Sequence, residues 1–430
     1  MRNVLIISFF FNQTEDIGTV RLRGLVKYLP EFGWNPIVLT VKTSATPDKK
    51  IIIFETPYDD TIVLWKKRIG IPLDKTFKEL YHLPTTKQKK TLIDKIIDLW
   101  YEIFIYPDPT INWSISAIEK GDDILKASQF DAIISSMIPP TSHIIAKELV
   151  KRNKIPWIAD FRDLWTQNHY FNHSKIRGFF EKRLELNTLS SANALTTVSQ
   201  PLSDKLKELH KNKKVYSIPN GYDQTQINPG ILLTKKFSIT YTGVLYRGRR
   251  DPEPLFRILK VLIDENMIDP TIIEVHFFGY DEGWLISDIK KYLLENVVLL
   301  HGKISREESI QKQRESQVLL LLTWNDPHEK GVYTGKIFDY LAARRPILAL
   351  GLHRSVVSDL LHQTQAGVIV SSDAEIKEHI LKLYREYKEN GFVKYSGVLS
   401  EIEKFSHREM ARKFADVLED ICESRGNLNP

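Results

Sequence analysis

The stretch GVYTGKIFDYLAARRPILAL, residues 331–350, combines residue types that can bind a diphosphate. A glycine-containing loop precedes Lys336, an amphipathic helical pattern follows, and Asp339 lies one turn into that helix. A loop that enters a helix offers unpaired backbone N–H groups and a partial positive charge, to which a lysine adds a full charge. A carboxylate cannot bind a phosphate, but it accepts hydrogen bonds from a ribose diol. The pattern predicts a nucleotide site; the alternative is a solvated Lys336 and an Asp339 that only stabilises the helix start.

A second basic segment is YTGVLYRGRRDPEPLF, residues 241–256, which predicts a strand, a turn at Gly243 and a helix. Arg247, Arg249 and Arg250 crowd this turn. The turn is expected at the carboxyl edge of a parallel sheet, where ligands of open α/β sheets bind. Arginine also forms bidentate contacts with phosphate. The turn is therefore a second candidate for diphosphate binding, and the alternative is a solvated charged turn.

A third strand, loop and helix pattern lies near the N-terminus in SFFFNQTEDIGTVRLRGLVKYL, residues 8–29. Gly18 stands at the predicted helix start, where the absence of a side chain would let a ligand approach the backbone closely. Arg21 and Arg23 follow one turn later. This segment is a further candidate ligand loop.

Several common site motifs are absent from the sequence. A Walker phosphate loop would need glycine at Lys330 and serine or threonine at Ile337. No G-x-G-x-x-G follows the first predicted strand, which excludes the standard dinucleotide fingerprint. The twelve histidines show no spacing typical of metal ligands, and the single Cys422 excludes a cysteine-based zinc site or an intrachain disulfide. The sequence therefore indicates no metal site.

Length and composition are typical of a soluble globular protein with two or three domains, since the chain has 430 residues, of which 42% are hydrophobic and 27% charged. The net charge of +6 suits an anionic substrate or an anionic membrane surface, whereas nucleic-acid binding usually shows a stronger and more clustered bias. No apolar run reaches the ~20 residues that span a bilayer, and the first apolar run is better explained as a buried strand than as a signal peptide. We expect a cytoplasmic protein that does not bind nucleic acid.

Short apolar runs alternate with helical patterns along most of the chain. Many of these runs are continuously apolar, which is typical of strands buried on both faces of a parallel sheet. The predicted strands lie in residues 3–10, 35–41, 130–137, 155–161, 193–199 and 213–221, then 237–243, 274–280, 296–302, 317–324, 345–351 and 366–372. Two such series in succession predict two doubly wound, Rossmann-like α/β domains, residues 1–223 and 236–400. A last amphipathic helix is predicted at 406–426, with Ser406 as its N-cap and Glu409 completing a capping box.

Residues 66–106 interrupt this rhythm with a basic segment in which aromatic and aliphatic side chains are interleaved. One predicted helical face of this segment carries Ile93, Ile96, Ile97, Trp100 and Phe104. A basic amphipathic helix can rest on anionic lipid. The alternative is an insertion that packs this face on its own domain.

The chain resembles a GT-B glycosyltransferase of the family-4 type, which transfers sugars from nucleoside diphosphate donors. The resemblance rests on the order and spacing of seven segments: GTVRLRGLVKYLPEFGWNPIVLT (18–40), PDPTINW (107–113), IADFRDLW (158–165), TTVSQPLSDKL (196–206), IPNGYD (218–223), YTGVLYRGRRDP (241–252) and TGKIFDYLAARRPILA (334–349). It implies the GT-B fold, in which two Rossmann-like domains face each other across a cleft. It also implies that the helix at 406–426 returns to the first domain.

The resemblance assigns the donor to the second domain. It implies that Arg250 and Lys336 bind the diphosphate and that Asp339 binds the ribose. The first acid of the family's acid pair would fall on Gly331 and is therefore missing, while Glu329 stands nearby out of register. The remaining donor-binding residues that it implies are Gly18, Gly243, Arg249, Gly331, Val332, Tyr333, Thr334 and Gly335.

In the first domain, His143 corresponds to the family's active-site histidine near the donor sugar, and the alternative is an ordinary helix histidine. Asp160, Arg162 and Asp163 are assigned to acceptor or sugar contact, and the alternative is a structural Arg–Asp pair. The resemblance implies hexosyl transfer with retention at the anomeric carbon, without a cofactor or an essential metal. The expected donor is a UDP- or GDP-type nucleotide sugar.

The expected acceptor is a sugar or a lipid-linked sugar in surface polysaccharide or glycoconjugate assembly, with peripheral contact to the inner face of the cell membrane. Two other functions on this scaffold stay open. One is a nucleotide-sugar epimerase or hydrolase, and the other is a non-catalytic nucleotide-sugar-binding protein. The missing acid at Gly331 is the best argument for the second.

Overall fold

The computed structural model describes residues 1–12, 17–44, 50–59, 63, 102, 105–170, 173–227, 230–279 and 283–426. It divides into two compact units. Unit 1 comprises Met1–Pro219 and Ala411–Pro430, and unit 2 comprises Asn220–Met410. The chain passes from unit 1 to unit 2 at the start of the polar stretch that separates the two predicted series of strands.

Unit 1 is built on a seven-stranded parallel sheet of order β3-β2-β1-β4-β5-β6-β7. Its strands are β1 (Arg2–Ile7), β2 (Trp34–Val41), β3 (Ile52–Thr56), β4 (Ala132–Met137), β5 (Trp157–Phe161), β6 (Ala194–Thr197) and β7 (Lys214–Ser217). Six of these strands were predicted from apolar runs, and the structure confirms them. The seventh, β3, was not predicted, although residues 51–54 form a short apolar run. It lies at an edge of the sheet, where Ile52 is exposed.

Helices cover both faces of this sheet, as in a doubly wound fold. They are α1 (Ile17–Tyr28), α2 (Trp113–Ala127), α3 (Thr141–Asn153), α4 (Lys175–Leu189) and α5 (Gln200–Leu209). The core packs the fully buried Trp113 and Trp157 against residues of the central strands, such as Leu39 and Ile133. This core holds the carboxyl ends of the strands in fixed positions.

Unit 2 contains a six-stranded parallel sheet of order β10-β9-β8-β11-β12-β13. Its strands are β8 (Phe237–Thr242), β9 (Ile273–Phe278), β10 (Val298–Leu300), β11 (Val318–Leu322), β12 (Ile347–Leu350) and β13 (Gly367–Val370), and all six were predicted. The run VLLLL of β11 is wholly buried because alternate residues enter two different clusters, Leu320 on one face and Leu321 on the other. The strand order reverses between β8 and β11, which is where ligands of such sheets bind.

The helices of unit 2 are α6 (Glu253–Asp264), α7 (Gly283–Lys291), α8 (Arg306–Glu315), α9 (Gly335–Ala343), α10 (Val356–Thr364), α11 (Asp373–Asn390) and the short α12 (Leu399–Glu403). A short 3-10 helix, Pro327–Gly331, precedes α9. Helix α9 follows β11 and begins beside the point where the strand order reverses. The two Rossmann-like units confirm the predicted α/β fold class.

The last helix, α13 (His407–Gly426), carries the chain back into unit 1. Ser406 Oγ accepts a hydrogen bond from Glu409 N at 3.1 Å, as the sequence predicted for an N-cap. Further along, Glu419 Oε1 accepts one from Trp34 Nε1 at 3.1 Å, and Phe414 is fully buried. These contacts make α13 a structural part of unit 1.

The apolar face predicted within residues 66–106 lies outside the described residues. Of that segment, the structure describes Glu102, Ile105 and Tyr106. Among the helices of the described ranges, none combines the length and the apolar character needed to cross a bilayer.

Candidate functional site

The basic turn after β8 and the start of α9 meet in unit 2. A Cβ atom added at Gly243 would lie 2.5 Å from Cε and 2.8 Å from Nζ of Lys336, so the lysine side chain lies directly over the Gly243 backbone. Gly243 also has a φ of 112°, which residues with a side chain rarely adopt. The structure thus brings two of the segments singled out in the sequence into one site, and Gly243 makes their close contact sterically feasible.

Helix α9 is held in place by its apolar face. Ile337, Tyr340 and Leu341 are buried, and the Tyr340 hydroxyl donates a hydrogen bond to Leu320 O on β11 at 3.1 Å. Tyr333, just before the helix, packs edge-on against Phe338 with ring centres 5.5 Å apart. This packing directs the first turn of α9, with Lys336, toward the turn after β8.

Lys336 is a cation that has no anionic partner among the described residues. Its Nζ lies 5.1 Å from the centre of the Tyr241 ring and forms no hydrogen bond or ion pair within the described ranges. Burial, together with the positive charge of Arg250, lowers the pKa of Lys336 to about 7, although Asp339 opposes this shift. A bound anion would stabilise the protonated lysine.

The arginines of the turn add two further donors. Arg249 stacks its guanidinium 4.2 Å from the centre of the Trp324 ring, and its buried Nη1 forms no hydrogen bond with any described residue. Arg250 lies 5.5 Å from the centre of the Tyr246 ring and lines a narrow cavity together with Trp324 and Thr334. The guanidinium groups are therefore oriented by aromatic rings and not by carboxylates.

The loop before α9 contributes to the same cavity. Thr334 is the N-cap residue of α9, yet its side chain forms no capping bond, and its buried Oγ1 has no partner in the described part of the chain. Val332 also lines the cavity, and Gly331 ends the 3-10 helix just before it. The helix then begins at Gly335, so its N–H groups and positive dipole end adjoin Thr334.

Glu329 is the acid of this cavity. It is almost completely buried in the 3-10 helix and lines the cavity together with Arg250 and Thr334. Gly331, where the family's first acid would fall, brings no side chain to this place. The structure thus shows the carboxylate of Glu329 close to Gly331, where the first acid of the family's pair is missing. The spacing of the sequence motif alone did not single out Glu329.

Asp339 forms an ion pair that was not predicted. Arg306, the first residue of α8, donates to Asp339 through Nη2 to Oδ1 at 2.8 Å and through Nη1 to Oδ2 at 3.3 Å. Burial raises the pKa of Asp339, while Arg306 and Lys336 act in the opposite direction. A carboxylate has about four acceptor positions, so this pairing leaves acceptor capacity for a diol. Arg306 follows β10 at the carboxyl edge of the sheet, which is the signal that could have identified it.

In unit 1, Asp160 belongs to a buried network. Its carboxylate is fully buried and accepts hydrogen bonds from Arg21 Nη2 at 3.0 Å, Thr196 Oγ1 at 2.8 Å and Ser136 Oγ at 3.1 Å. Arg21 Nη1 also donates to Ile218 O at 3.0 Å. Asp160 thus forms a structural Arg–Asp pair with Arg21 and exposes no oxygen, and its contact with an acceptor or sugar stays a prediction.

Arg162 and Asp163 differ from Asp160 because both are accessible. They follow β5 directly at the carboxyl edge of the sheet of unit 1, and Arg162 Nε donates to Asp163 Oδ2 at 3.1 Å. Their side chains are partly exposed, Asp163 more than Arg162. Both side chains are therefore partly accessible to solvent.

His143 lies in the first turn of α3 and is fully buried. Its Nδ1 is 2.7 Å from Ser135 Oγ, which accepts a hydrogen bond from Trp157 Nε1 at 2.8 Å. The serine hydroxyl can donate its own hydrogen to Nδ1, which places the imidazole hydrogen on Nε2, and Nε2 has no partner among the described residues. Burial lowers the pKa of His143 to about 3, so the ring is neutral. An active-site role for His143 stays a prediction.

The remaining predicted positions are found in α1. Gly18 is the second residue of this helix, as the sequence predicted for a loop that enters a helix. Arg23 is exposed, whereas Arg21 is buried with Asp160. Within the described ranges, no group of three or more His, Cys, Asp or Glu side chains is placed to hold a metal ion.

Known proteins resemble this chain in sequence family and in fold. The model of Glycosyltransferase Family 4 matches residues 18–226. A glycosyltransferase from Rickettsia africae is similar in structure, with a TM-score of 0.62 at 13% identity over 98% of both chains. HepE from Anabaena, in complex with UDP and glucose, has a TM-score of 0.59 at 12% identity over 98% of this chain and 100% of that chain.

A third similar structure is the apo form of WaaB, a lipopolysaccharide outer core galactosyltransferase. Its TM-score is 0.58 at 10% identity, over 98% of this chain and 99% of that chain. No curated protein sequence matches the chain. Over residues 18–226 the chain therefore matches the model of Glycosyltransferase Family 4, and its two parallel-sheet units have the architecture of the GT-B fold.

Proposed function

We propose that this glycosyltransferase binds a nucleoside diphosphate sugar in unit 2 and transfers the sugar to an acceptor. One observation carries the proposal: Lys336 Nζ and Thr334 Oγ1 at the N-terminus of α9, and Arg249 Nη1 on the turn after β8, lack partners among the described residues. Cationic and hydroxyl donors at a helix N-terminus suit the two phosphates of such a donor. The similarity in fold to HepE, which was solved with UDP and glucose, supports a donor of the UDP type.

The proposed mechanism breaks the bond between the anomeric carbon and the diphosphate. Positive charge then develops on the sugar ring and negative charge on the departing phosphate. Arg250, Lys336 and the first N–H groups of α9 would stabilise the phosphate charge, so the mechanism that we propose uses no metal ion. Asp339, held by Arg306, would accept hydrogen bonds from the ribose hydroxyls.

We assign contact with the donor sugar to Glu329. Its carboxylate lines the cavity that also contains Arg250 and Thr334, close to the place where Gly331 supplies no acid. A buried carboxylate can accept charge-assisted hydrogen bonds from sugar hydroxyls, which are stronger than those to neutral acceptors. On this proposal the chain retains a sugar-binding acid at a shifted position.

We further propose that the donor carries a hexosyl group and that transfer retains the configuration at the anomeric carbon. The proposed acceptor is a sugar or a lipid-linked sugar in surface polysaccharide or glycoconjugate assembly. Retention is what the family resemblance implies. The net charge of +6 and the basic segment 66–106 support contact with the inner face of the cell membrane. The fold shared with WaaB, a lipopolysaccharide galactosyltransferase, supports an acceptor of this class.

A non-catalytic donor-binding protein is the second candidate, and the observation that favours it is Gly331 in place of an acid. A panel of UDP-, GDP- and ADP-sugars in a thermal unfolding assay tests the binding step. A ligand at about 100 times its Kd adds roughly 2.7 kcal/mol to the free energy of unfolding, so one class of nucleotide should raise the Tm clearly. If no nucleotide sugar raises the Tm, the proposed function fails.

Product analysis with the stabilising donor then separates the remaining functions. Transfer requires an acceptor, so sugar should be consumed only when an oligosaccharide or lipid-linked acceptor is present. Conversion of the donor without an acceptor would indicate an epimerase or hydrolase. Binding without turnover with any acceptor would indicate the non-catalytic protein.

A further inference from the structure

Helix α4 (Lys175–Leu189) has its charged and apolar faces reversed relative to an ordinary surface helix. Its inner face carries Arg177, Glu181 and Glu185, which are all buried. Four of its large apolar side chains point outward instead, whereas Leu189 is buried. Ile176 is 74% exposed, Phe179 63%, Phe180 53% and Leu186 40%.

The inner charges are paired, and these pairs fix the rotation of the helix. Arg177 Nη2 donates to Glu181 Oε1 at 3.1 Å, and the other oxygen of Glu181 accepts from Trp165 Nε1 at 2.9 Å. Glu185 Oε1 lies 3.1 Å from His210 Nε2. Turning α4 to bury its apolar side chains would leave these buried charges unpaired, at a high cost in stability. The apolar exposure is therefore imposed by the fold of unit 1.

The outward face of α4 contains cations and no acid. Its exposed residues are Lys175, Ile176, Phe179, Phe180, Lys182, Arg183, Leu186 and Asn187. Both acids of the helix are buried, and Glu102, a described acid near its N-terminus, accepts a hydrogen bond from Ser174 N at 3.0 Å. Three positive charges among four large apolar side chains complement an anionic surface that also has an apolar interior.

Tyr106 extends this surface beyond the helix. Its hydroxyl donates to Phe180 O at 3.0 Å, and its ring lies 5.8 Å from the Arg177 guanidinium carbon, so it is fixed beside α4 while it remains exposed. Tyrosine is enriched at membrane–water interfaces because its ring is apolar and its hydroxyl polar. Tyr106 and the exposed residues of α4 together form one continuous surface, which we call the α4 surface.

We propose that the α4 surface docks the protein onto an anionic lipid bilayer. A helix that lies in the plane of the interface inserts apolar side chains between headgroups while flanking lysine and arginine contact lipid phosphates. The charge of the surface favours a bilayer over a second copy of this chain, because two copies would bring like charges together. The inference rests on unit 1 alone, on α4 and on Tyr106 at the end of the segment 66–106, and it does not depend on donor binding.

Vesicle flotation with the full chain tests this proposal. The probes are vesicles of phosphatidylcholine alone and vesicles that also contain phosphatidylglycerol. We expect binding to the anionic vesicles, weakened by high salt, and a drop of at least about tenfold in the variant Phe179→Ser/Phe180→Ser. The matched control is Ile52→Ser/Ile115→Ser, which removes two exposed apolar side chains elsewhere in unit 1 and should bind like the wild type.

A charge variant tests the same surface independently. Lys182→Glu/Arg183→Glu should abolish the preference for anionic vesicles without lowering the Tm, because both side chains are exposed. The proposal is overturned if the wild type does not bind anionic vesicles, or if the variants bind as well as the wild type. It is also overturned if sedimentation shows a wild-type dimer that the phenylalanine variant converts to monomers without any change in vesicle binding.

Discussion

At the scale of single residues, the candidate donor site is centred on Lys336, which forms no ion pair with any described residue. Replacing Lys336 by alanine should lower turnover at least tenfold, because one cation that stabilises the departing phosphate contributes roughly 2–4 kcal/mol in the transition state. Steady-state kinetics with the donor identified by thermal shift checks this. Circular dichroism should show an unchanged fold.

Lys330 provides the matched control for this substitution. It lies six positions earlier and is exposed, so Lys330→Ala should keep wild-type turnover. Normal turnover in Lys336→Ala would remove this lysine from the chemistry, and equal losses in both variants would indicate a general electrostatic effect.

The pH dependence of donor binding should report the same residue. Burial and Arg250 lower the pKa of Lys336 to about 7, so the free protein loses this charge as the pH rises through about 7. A bound diphosphate favours the charged form and raises the pKa. The affinity for UDP-glucose should therefore be constant below about pH 7 and fall above it, by up to about tenfold per pH unit.

Calorimetry in two buffers of different ionisation enthalpy measures the accompanying proton uptake. At about pH 8 the wild type should take up close to one proton per donor bound, whereas Lys336→Arg, which stays charged, should take up none. If the wild type binds UDP-glucose without proton uptake at this pH, Lys336 does not change its protonation on binding.

Sequence patterns predicted the segments that form the candidate sites better than the ion pairs between residues far apart in the chain. The helix start around Lys336 and the turn around Gly243 are each marked by residues close together in the chain. The partner of Asp339 is Arg306, 33 positions away, and the partner of Asp160 is Arg21, 139 positions away. No local pattern marks such pairs, because their members meet only when distant elements pack together.

At the scale of elements, continuous apolar runs were a reliable signal because the strands of both sheets are covered on two faces. The edge strand β3 was missed although residues 51–54 form a short apolar run; at this edge Ile52 is exposed, and Ile53 and Phe54 are only partly buried. Helix α4 illustrates a different limit. The spacing of Arg177, Glu181 and Glu185 is typical of a solvated charged face, and only the packing of Trp165 and His210 shows that this face points inward.

The network that joins α1, β4, β5 and β6 is open to test through Asp160. Asp160→Asn would leave the buried Arg21 without its counter-charge, and breaking a buried pair in this way costs about 3–5 kcal/mol of unfolding free energy. Asp163→Asn, three positions later and partly exposed, should change the stability by no more than about 0.5 kcal/mol. Urea unfolding of both variants measures the difference. Equal stabilities would mean that Arg21 finds other partners.

At the scale of the whole molecule, the two units contribute different evidence. The Family 4 match ends at residue 226 and so lies almost wholly in unit 1, whereas Arg250, Lys336 and Asp339 lie in unit 2. The assignment of the donor to unit 2 therefore rests on the geometry at α9 and on the shared fold. If this assignment holds, substitutions in unit 2 should change the affinity for the donor, and substitutions in unit 1 should change the kinetics with the acceptor.

Arg162 in unit 1 allows this division of roles to be tested. If Arg162 contacts the acceptor, Arg162→Ala should raise the KM for the acceptor or lower turnover by about tenfold, because a charge-assisted hydrogen bond contributes about 1.5–3 kcal/mol. The Kd for UDP-glucose should stay within about twofold of wild type, since donor-binding groups in unit 2 are unchanged. Arg152→Ala, an exposed arginine at the end of α3, serves as the control and should alter neither constant. A loss of UDP-glucose affinity in Arg162→Ala would contradict the division, because it would make this arginine part of the donor site.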